Sequence, residues 1–112
     1  GITFKNEKLE ISSFAEDFLD DLAAAMIHYP SMLIQLISYT DARGYAVSNY
    51  RASQKRADAI KNYLTNKGVE ALRVIAVGEG ENKIVNRCID GVFCEEVEHA
   101  VNNRIEILGI ED

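Results

Sequence analysis

The chain has 112 residues, 47% of them hydrophobic, which is enough for one core and too few for two. Twelve Lys and Arg stand against 18 Asp and Glu, and a net charge of −6 is the wrong sign for a general attraction to nucleic acid or to an anionic bilayer. The longest uninterrupted apolar run, Leu22 to Ile27, falls far short of the roughly 20 residues that span a membrane. No nucleic-acid partner and no direct membrane insertion by this domain are therefore expected.

The chain opens at Gly1, and residues 2–4 (ITF) are already strand-like, as expected of a domain cut from a longer protein. Ser13-Phe14-Ala15-Glu16 has the form of a capping box, and Phe14, Phe18, Leu22 and Met26, with Leu19 and Tyr29, make an apolar stripe at helical spacing. A helix over about residues 12–28 follows, stopped by Tyr29-Pro30. MLIQLI, Met32 to Ile37, carries apolar residues at both parities and is expected to be a strand buried on both faces. SYTDARG, Ser38 to Gly44, is its C-terminal end and exit loop.

From Ser53 the positions Ala57, Ile60, Tyr63 and Leu64 return to helical spacing, with Lys67-Gly68 suited to a helix end. LRVIAV, Leu72 to Val77, reads as a strand running into a Gly78-Glu79-Gly80-Glu81 turn. About fifteen residues of loop, holding Asp90-Gly91 and both cysteines, precede one or two helical turns over residues 95–101. RIEILGI, Arg104 to Ile110, closes the sheet. The order β-α-β-α-β-β predicts an α+β two-layer sandwich, a mixed four-stranded sheet with two long helices on one face.

Asp41 leaves the end of a central strand, and Arg56 lies in the helix that follows. Ligands of layered αβ folds often sit at the carboxyl ends of strands, where loop backbone and helix N-termini offer free donors. A carboxylate and a guanidinium across such a crevice suit a zwitterion, the one taking an ammonium and the other forking onto a carboxylate. The plainer alternatives are that Asp41 is an Asx-turn residue and Arg56 a solvated helix residue. Arg43 reads as a solvated loop residue, and Asn49 and Ser53 as capping groups, with Ser53 the N-cap of the second helix.

Taken in order, TDARG, NYRASQKRADAIKNYLTNKGV, VGEGE and HAVNNRIEI resemble the OmpA-like peptidoglycan-binding domain family, over nearly the whole chain. That family's pattern is a T-D-x-x-G turn, a Y-N-x-x-L-S-x-x-R-A helix start, a G-x-G-E turn and a closing N-R-R-x-E strand. The resemblance implies non-catalytic binding of peptidoglycan, without a cofactor, by an envelope protein of the periplasm. Attachment to the outer membrane would come from a missing N-terminal region. It implies that Asp41 and Arg56 grip the diaminopimelate of the stem peptide, with Thr40, Ala42, Gly44 and Asn49 lining or shaping the pocket. Gly44 is expected to allow close approach.

The departures are specific. Tyr39 replaces the family's His, Ala52 its Leu, Lys5 an acidic residue, and the closing N-R-R is Asn102-Asn103-Arg104. Arg104 is expected to keep a structural or rim role, while the contact made by the family's first arginine does not carry over to Asn103. These departures leave a second possibility, a structural or assembly domain of the same fold that has lost wall binding.

A C-x-D-G-x-x-C insertion like Cys88 to Cys94 occurs in a subgroup of the same family and favours a disulfide, hence an oxidising compartment. The rivals are a zinc site using Cys88, Cys94 and His99, hard to complete with a fourth ligand, and two free thiols. Gly78-Glu79-Gly80-Glu81 lacks the Lys-Ser/Thr of a phosphate loop. His28 and His99 have no partner at triad-like spacing, and no enzyme activity is expected.

Overall fold

The computed structural model describes residues 13–110. Three helices, α1 (Ser13–His28), α2 (Ala46–Asn66) and α3 (Glu96–Ala100), alternate with three strands, β1 (Leu33–Tyr39), β2 (Val74–Gly80) and β3 (Arg104–Ile110). A 3-10 turn, Ala71–Arg73, leads into β2. The strand order is β2-β1-β3, with β1 parallel to β2 and antiparallel to β3. The α+β class and the mixed sheet follow the sequence. Among the described residues, however, the sheet has three strands rather than four, and the expected first strand, residues 2–4, lies outside them.

Along β1, Ile34, Leu36 and Ser38 are buried while Leu33, Gln35 and Ile37 are only half-buried. Period-2 alternation sends these two sets to opposite faces. Ile34 and Leu36 share one core with Ala15, Leu19, Ala23 and Met26 of α1 and Ile60 and Leu64 of α2, so both long helices cover the same face. Among the described residues MLIQLI is therefore not buried on both sides: no described element comparable to the helices covers the second face, where Ile75 and Leu108 are exposed.

The buried stripe of α1 is Ala15, Leu19, Ala23 and Met26, which keeps Leu19 and Met26 of the predicted stripe and otherwise lies one residue further along the chain. The larger Phe18 and Tyr29 are left exposed. The guanidinium of Arg73, 6% exposed, closes the end of α1: Nη2 donates to the carbonyls of Met26 and Tyr29, and Nε to that of Met32. Free carbonyls at a helix C-terminus accept such a cation well.

Helix α2 begins at Ala46, seven residues before the expected N-cap, and Ser53 sits inside it. The Ser53 hydroxyl donates to the Tyr50 carbonyl (2.7 Å) and accepts from the Gly80 N–H (2.9 Å). The Gln54 amide spans the same seam, Oε1 taking the Gly78 N–H (2.8 Å) and Nε2 reaching the Ala76 carbonyl (3.1 Å). Gly78 and Gly80 thus belong to the end of β2 rather than to a turn. A Cβ on Gly78 would stand 2.3 Å from the Gln54 nitrogen, so glycine is what lets α2 lie against the strand. At the far end, Gly68 (φ +107°) follows α2 as the C′ glycine the sequence predicts.

Candidate functional site

Parallel pairing of β1 and β2 brings their carboxyl ends together, with a bulge where Tyr39 pairs with Gly80. Thr40 continues the pairing, its N–H donating to the Gly80 carbonyl (2.8 Å). Asp41 follows at the lip of the sheet, only 7% exposed. Its Oδ1 accepts the Arg43 N–H (2.8 Å), an Asx-turn contact, so the plain local reading of Asp41 holds beside any ligand role.

Two further donors converge on Asp41. The Arg43 guanidinium reaches Oδ2 at 2.9 Å, and Asn103 Nδ2 reaches the same oxygen at 2.7 Å. Asn103 also accepts the Asp41 N–H on its own Oδ1 (3.0 Å). Burial pushes the Asp41 carboxyl up, but the hydrogen bonds from Arg43, from its backbone N–H and from Asn103 outweigh that and hold it below the usual carboxylate range. Asp41 is therefore a preorganised anion.

Arg43 is not a free loop cation. Its Nη1 pairs with Glu96 Oε1 at the start of α3 (2.5 Å), so one guanidinium bridges two carboxylates and is held well above its ordinary pKa. The sequence offered no signal for the pair with Glu96, 53 residues away. Asn103, set aside on sequence grounds, is the second missed contact. Asn49 does not cap its own helix: its Nδ2 donates to the carbonyls of Arg43 (2.9 Å) and Asp41 (3.4 Å), tying the turn to α2.

The remaining predicted residues divide. Thr40 is buried, its hydroxyl donating to the Asp41 carbonyl (2.9 Å), and Ala42 is buried beside it. Gly44 has φ +86°, a backbone conformation that favours glycine, with Asn49 Oδ1 3.9 Å from where a Cβ would stand. Arg56 is half-buried, seven residues beyond Asn49 and three beyond Ser53, which is the same face of α2. Side chains lean toward the N-terminus of their helix, and that is the end of α2 that meets the Asp41 turn.

Arg104 turns to the other face of the sheet. Its guanidinium lies 4.2 Å from the centre of the Tyr39 ring, pairs with Glu106 (2.9 Å) and donates to the Lys83 carbonyl (3.2 Å). Tyr39, buried in place of the family's His, serves as the platform for that cation.

Just past β2, burial and the neighbouring Asp90 push the Glu81 carboxyl up, and the charge of Asp41 adds to the effect. The Asp90 loop is closed by a Cys88–Cys94 disulfide, with Cα atoms 6.0 Å apart. Zinc takes thiolates, and a disulfide offers none, so the zinc alternative with His99 is set aside. The fully buried Asn102 wires this loop to the sheet: it accepts the Val85 N–H (2.8 Å) and donates to Asn86 (3.0 Å).

The chain belongs to the OmpA family, whose model matches residues 3–92. The chain is 36% identical over 104 residues to outer membrane porin F of Pseudomonas aeruginosa, covering 92% of this chain and 28% of the porin. It is 37% identical over 82 residues to the peptidoglycan-associated lipoprotein of Buchnera aphidicola, covering 73% of this chain and 46% of that protein. The crystal structure of the peptidoglycan-associated lipoprotein from Burkholderia pseudomallei superposes with a TM-score of 0.86 at 25% identity, covering 97% of this chain and 88% of that one.

Proposed function

We propose that this domain binds peptidoglycan without cleaving it, holding the diaminopimelate of a stem peptide between Asp41 and Arg56 and so tethering an envelope protein to the cell wall. The observation that carries the reading is Asp41 itself, an ionised carboxylate fixed at the mouth of the sheet by Arg43 and Asn103. Diaminopimelate ends in a carbon bearing an ammonium and a carboxylate, the one suited to Asp41 and the other to a guanidinium. Thr40, Ala42, Gly44 and Asn49 then shape the pocket, and Arg104 braces the sheet behind its rim. Family membership and the names of the relatives, an outer membrane porin and a peptidoglycan-associated lipoprotein, support a periplasmic site at the outer membrane.

A second reading is a structural or assembly domain that keeps the fold without wall binding. What favours it is that Asp41 already accepts three hydrogen bonds from its own chain. Pull-down on purified diaminopimelate-type sacculi separates the two. Retention of the wild-type chain, with Asp41→Asn and Arg56→Ala each weakened by about 1.5–3 kcal/mol, supports the first reading. Equal retention by the folded variants overturns the assignment of these residues, and no retention at all favours the second. Muropeptide analysis of the incubated sacculi checks that no bond is cut.

A further inference from the structure

Resting on the reading of Asp41 as the acceptor of a ligand ammonium, we propose that Glu96 and Arg43 are positioning residues that act through Asp41. Together they set how much negative charge an incoming cation meets. Arg43 is shared between the two carboxylates, Nη2 on Asp41 Oδ2 at 2.9 Å and Nη1 on Glu96 Oε1 at 2.5 Å.

A carboxylate offers about four lone-pair sites, and Asp41 accepts two hydrogen bonds on Oδ2 and one on Oδ1 from Arg43 and Asn103, so Oδ1 is the less committed oxygen for a ligand donor. A cation arriving there meets the whole chain of charges and not Asp41 alone. Asp41, Arg43 and Glu96 sum to one negative charge. Without Glu96 the sum is zero, and without Arg43 it is two negative charges.

An exposed ion pair ordinarily contributes little, since both long side chains must be held in one geometry. Here the backbone that carries Glu96 is held independently. It is the first residue of α3, two positions beyond the disulfide Cys94, and the capping box between Glu95 and Glu98 fixes the helix start. Arg87 pairs with Glu98 (2.9 Å), and Asn86 donates to the Glu98 carbonyl (2.8 Å). On the other side, Asn49 holds the Arg43 carbonyl. The Cys88–Cys94 loop thereby presents a carboxylate to the back of the binding turn, a task for an insertion that otherwise lies outside the site. The geometry makes Glu96 an attractive element for a ligand cation and Arg43 a competing one.

The test is binding of a synthetic diaminopimelate stem peptide, by calorimetry at low salt, to the wild-type chain, Glu96→Gln, Arg43→Gln, the double variant and Asp41→Asn. Glu96 has an 84% exposed side chain, so its variant should fold, which circular dichroism verifies. One unit of charge some way from the ligand, in a largely aqueous setting, is worth about a threefold change in affinity. Glu96→Gln is expected to bind about threefold more weakly, Arg43→Gln about threefold more tightly, and the double variant between them. The differences should vanish near 1 M salt, where screening reaches about 3 Å. A purely structural role would weaken both single variants and would survive salt. If Asp41→Asn abolishes binding while both single variants weaken or neither changes, this inference fails and the ligand assignment stands. If Asp41→Asn binds like wild type, the ligand assignment fails and takes this inference with it.

Discussion

Asn103 and Asp41, 62 residues apart in the chain, face each other in a closed pair: the Asp41 N–H donates to Asn103 Oδ1 at 3.0 Å, and Asn103 Nδ2 donates to Asp41 Oδ2 at 2.7 Å. The residue just before β3 thus fixes both the backbone and the side chain of the residue that leaves β1. Asn103→Ala would orphan the Asp41 N–H and remove one donor from its carboxylate. A loss of about 1–3 kcal/mol in stability is expected, with weaker sacculus binding. Urea denaturation reads the first, and an unchanged midpoint would show that the pair is incidental.

The titration of Asp41 predicts a pH signature. Its carboxyl lies below the usual range in the fold, so its stabilisation is present above the unfolded value of about 3.9 and is lost as pH falls through the lowered folded value. Glu81, whose carboxyl is raised, behaves in the opposite sense: its contribution is present below about 4.3 and is lost as pH rises through the raised value. The stability difference between wild type and Asp41→Asn should therefore shrink on acidification from about pH 6 to about pH 3. Glu81→Gln should gain on wild type as pH rises from about 4 to about 7. Denaturation midpoints across that range check both signs.

Gly78 and Gly91 should respond differently to alanine. At Gly78 the new Cβ would meet the Gln54 nitrogen at 2.3 Å and its Cα at 2.6 Å, and α2 would have to lift from β2. About 3 kcal/mol or more of destabilisation is expected. At Gly91 nothing lies within 4 Å, and only the positive φ of +82° is strained, a cost of about 1 kcal/mol. Equal thermal shifts for the two variants would argue against close packing at the seam.

The Cys88–Cys94 bond closes a loop with a sequence separation of six. So short a loop removes little unfolded-state entropy, and a Cys88→Ser/Cys94→Ser variant should lose only about 2 kcal/mol. Chemical denaturation measures that loss. Intact mass under non-reducing conditions, on protein from its native compartment, should show no alkylatable thiol.

Ligand selectivity follows from the two proposed anchors. A stem peptide with lysine in place of diaminopimelate keeps an ammonium for Asp41 but brings no carboxylate for Arg56. Discrimination of about 2–3 kcal/mol, roughly 30- to 150-fold, is expected, and amidating the diaminopimelate carboxylate should act in the same direction. Calorimetry with the three peptides reports it, and equal affinities would remove Arg56 as the carboxylate anchor.

Local pattern was enough to locate the long helices and the strands at MLIQLI and RIEILGI, because helical spacing, alternation, Pro30 and Gly68 all act within a few residues. Ordered motifs were enough for the family. Where local signals compete, the sequence misled. Ser53 has the chemistry of an N-cap, yet helix α2 extends back to Ala46 and the Ser53 hydroxyl meets the Gly80 N–H from inside it. Glycines 78 and 80 resemble a turn, yet contact with α2 is what requires the first of them. Of the partners of Asp41 only Arg43 is close in sequence, two residues away, and as a loop residue it reads as solvated. Asn103 lies just before β3 and Glu96 opens α3, and only antiparallel pairing of β1 with β3 and the anchored disulfide loop bring them there. A carboxylate's identity is written in the chain, but its charge state and donors depend on neighbours that distant segments supply.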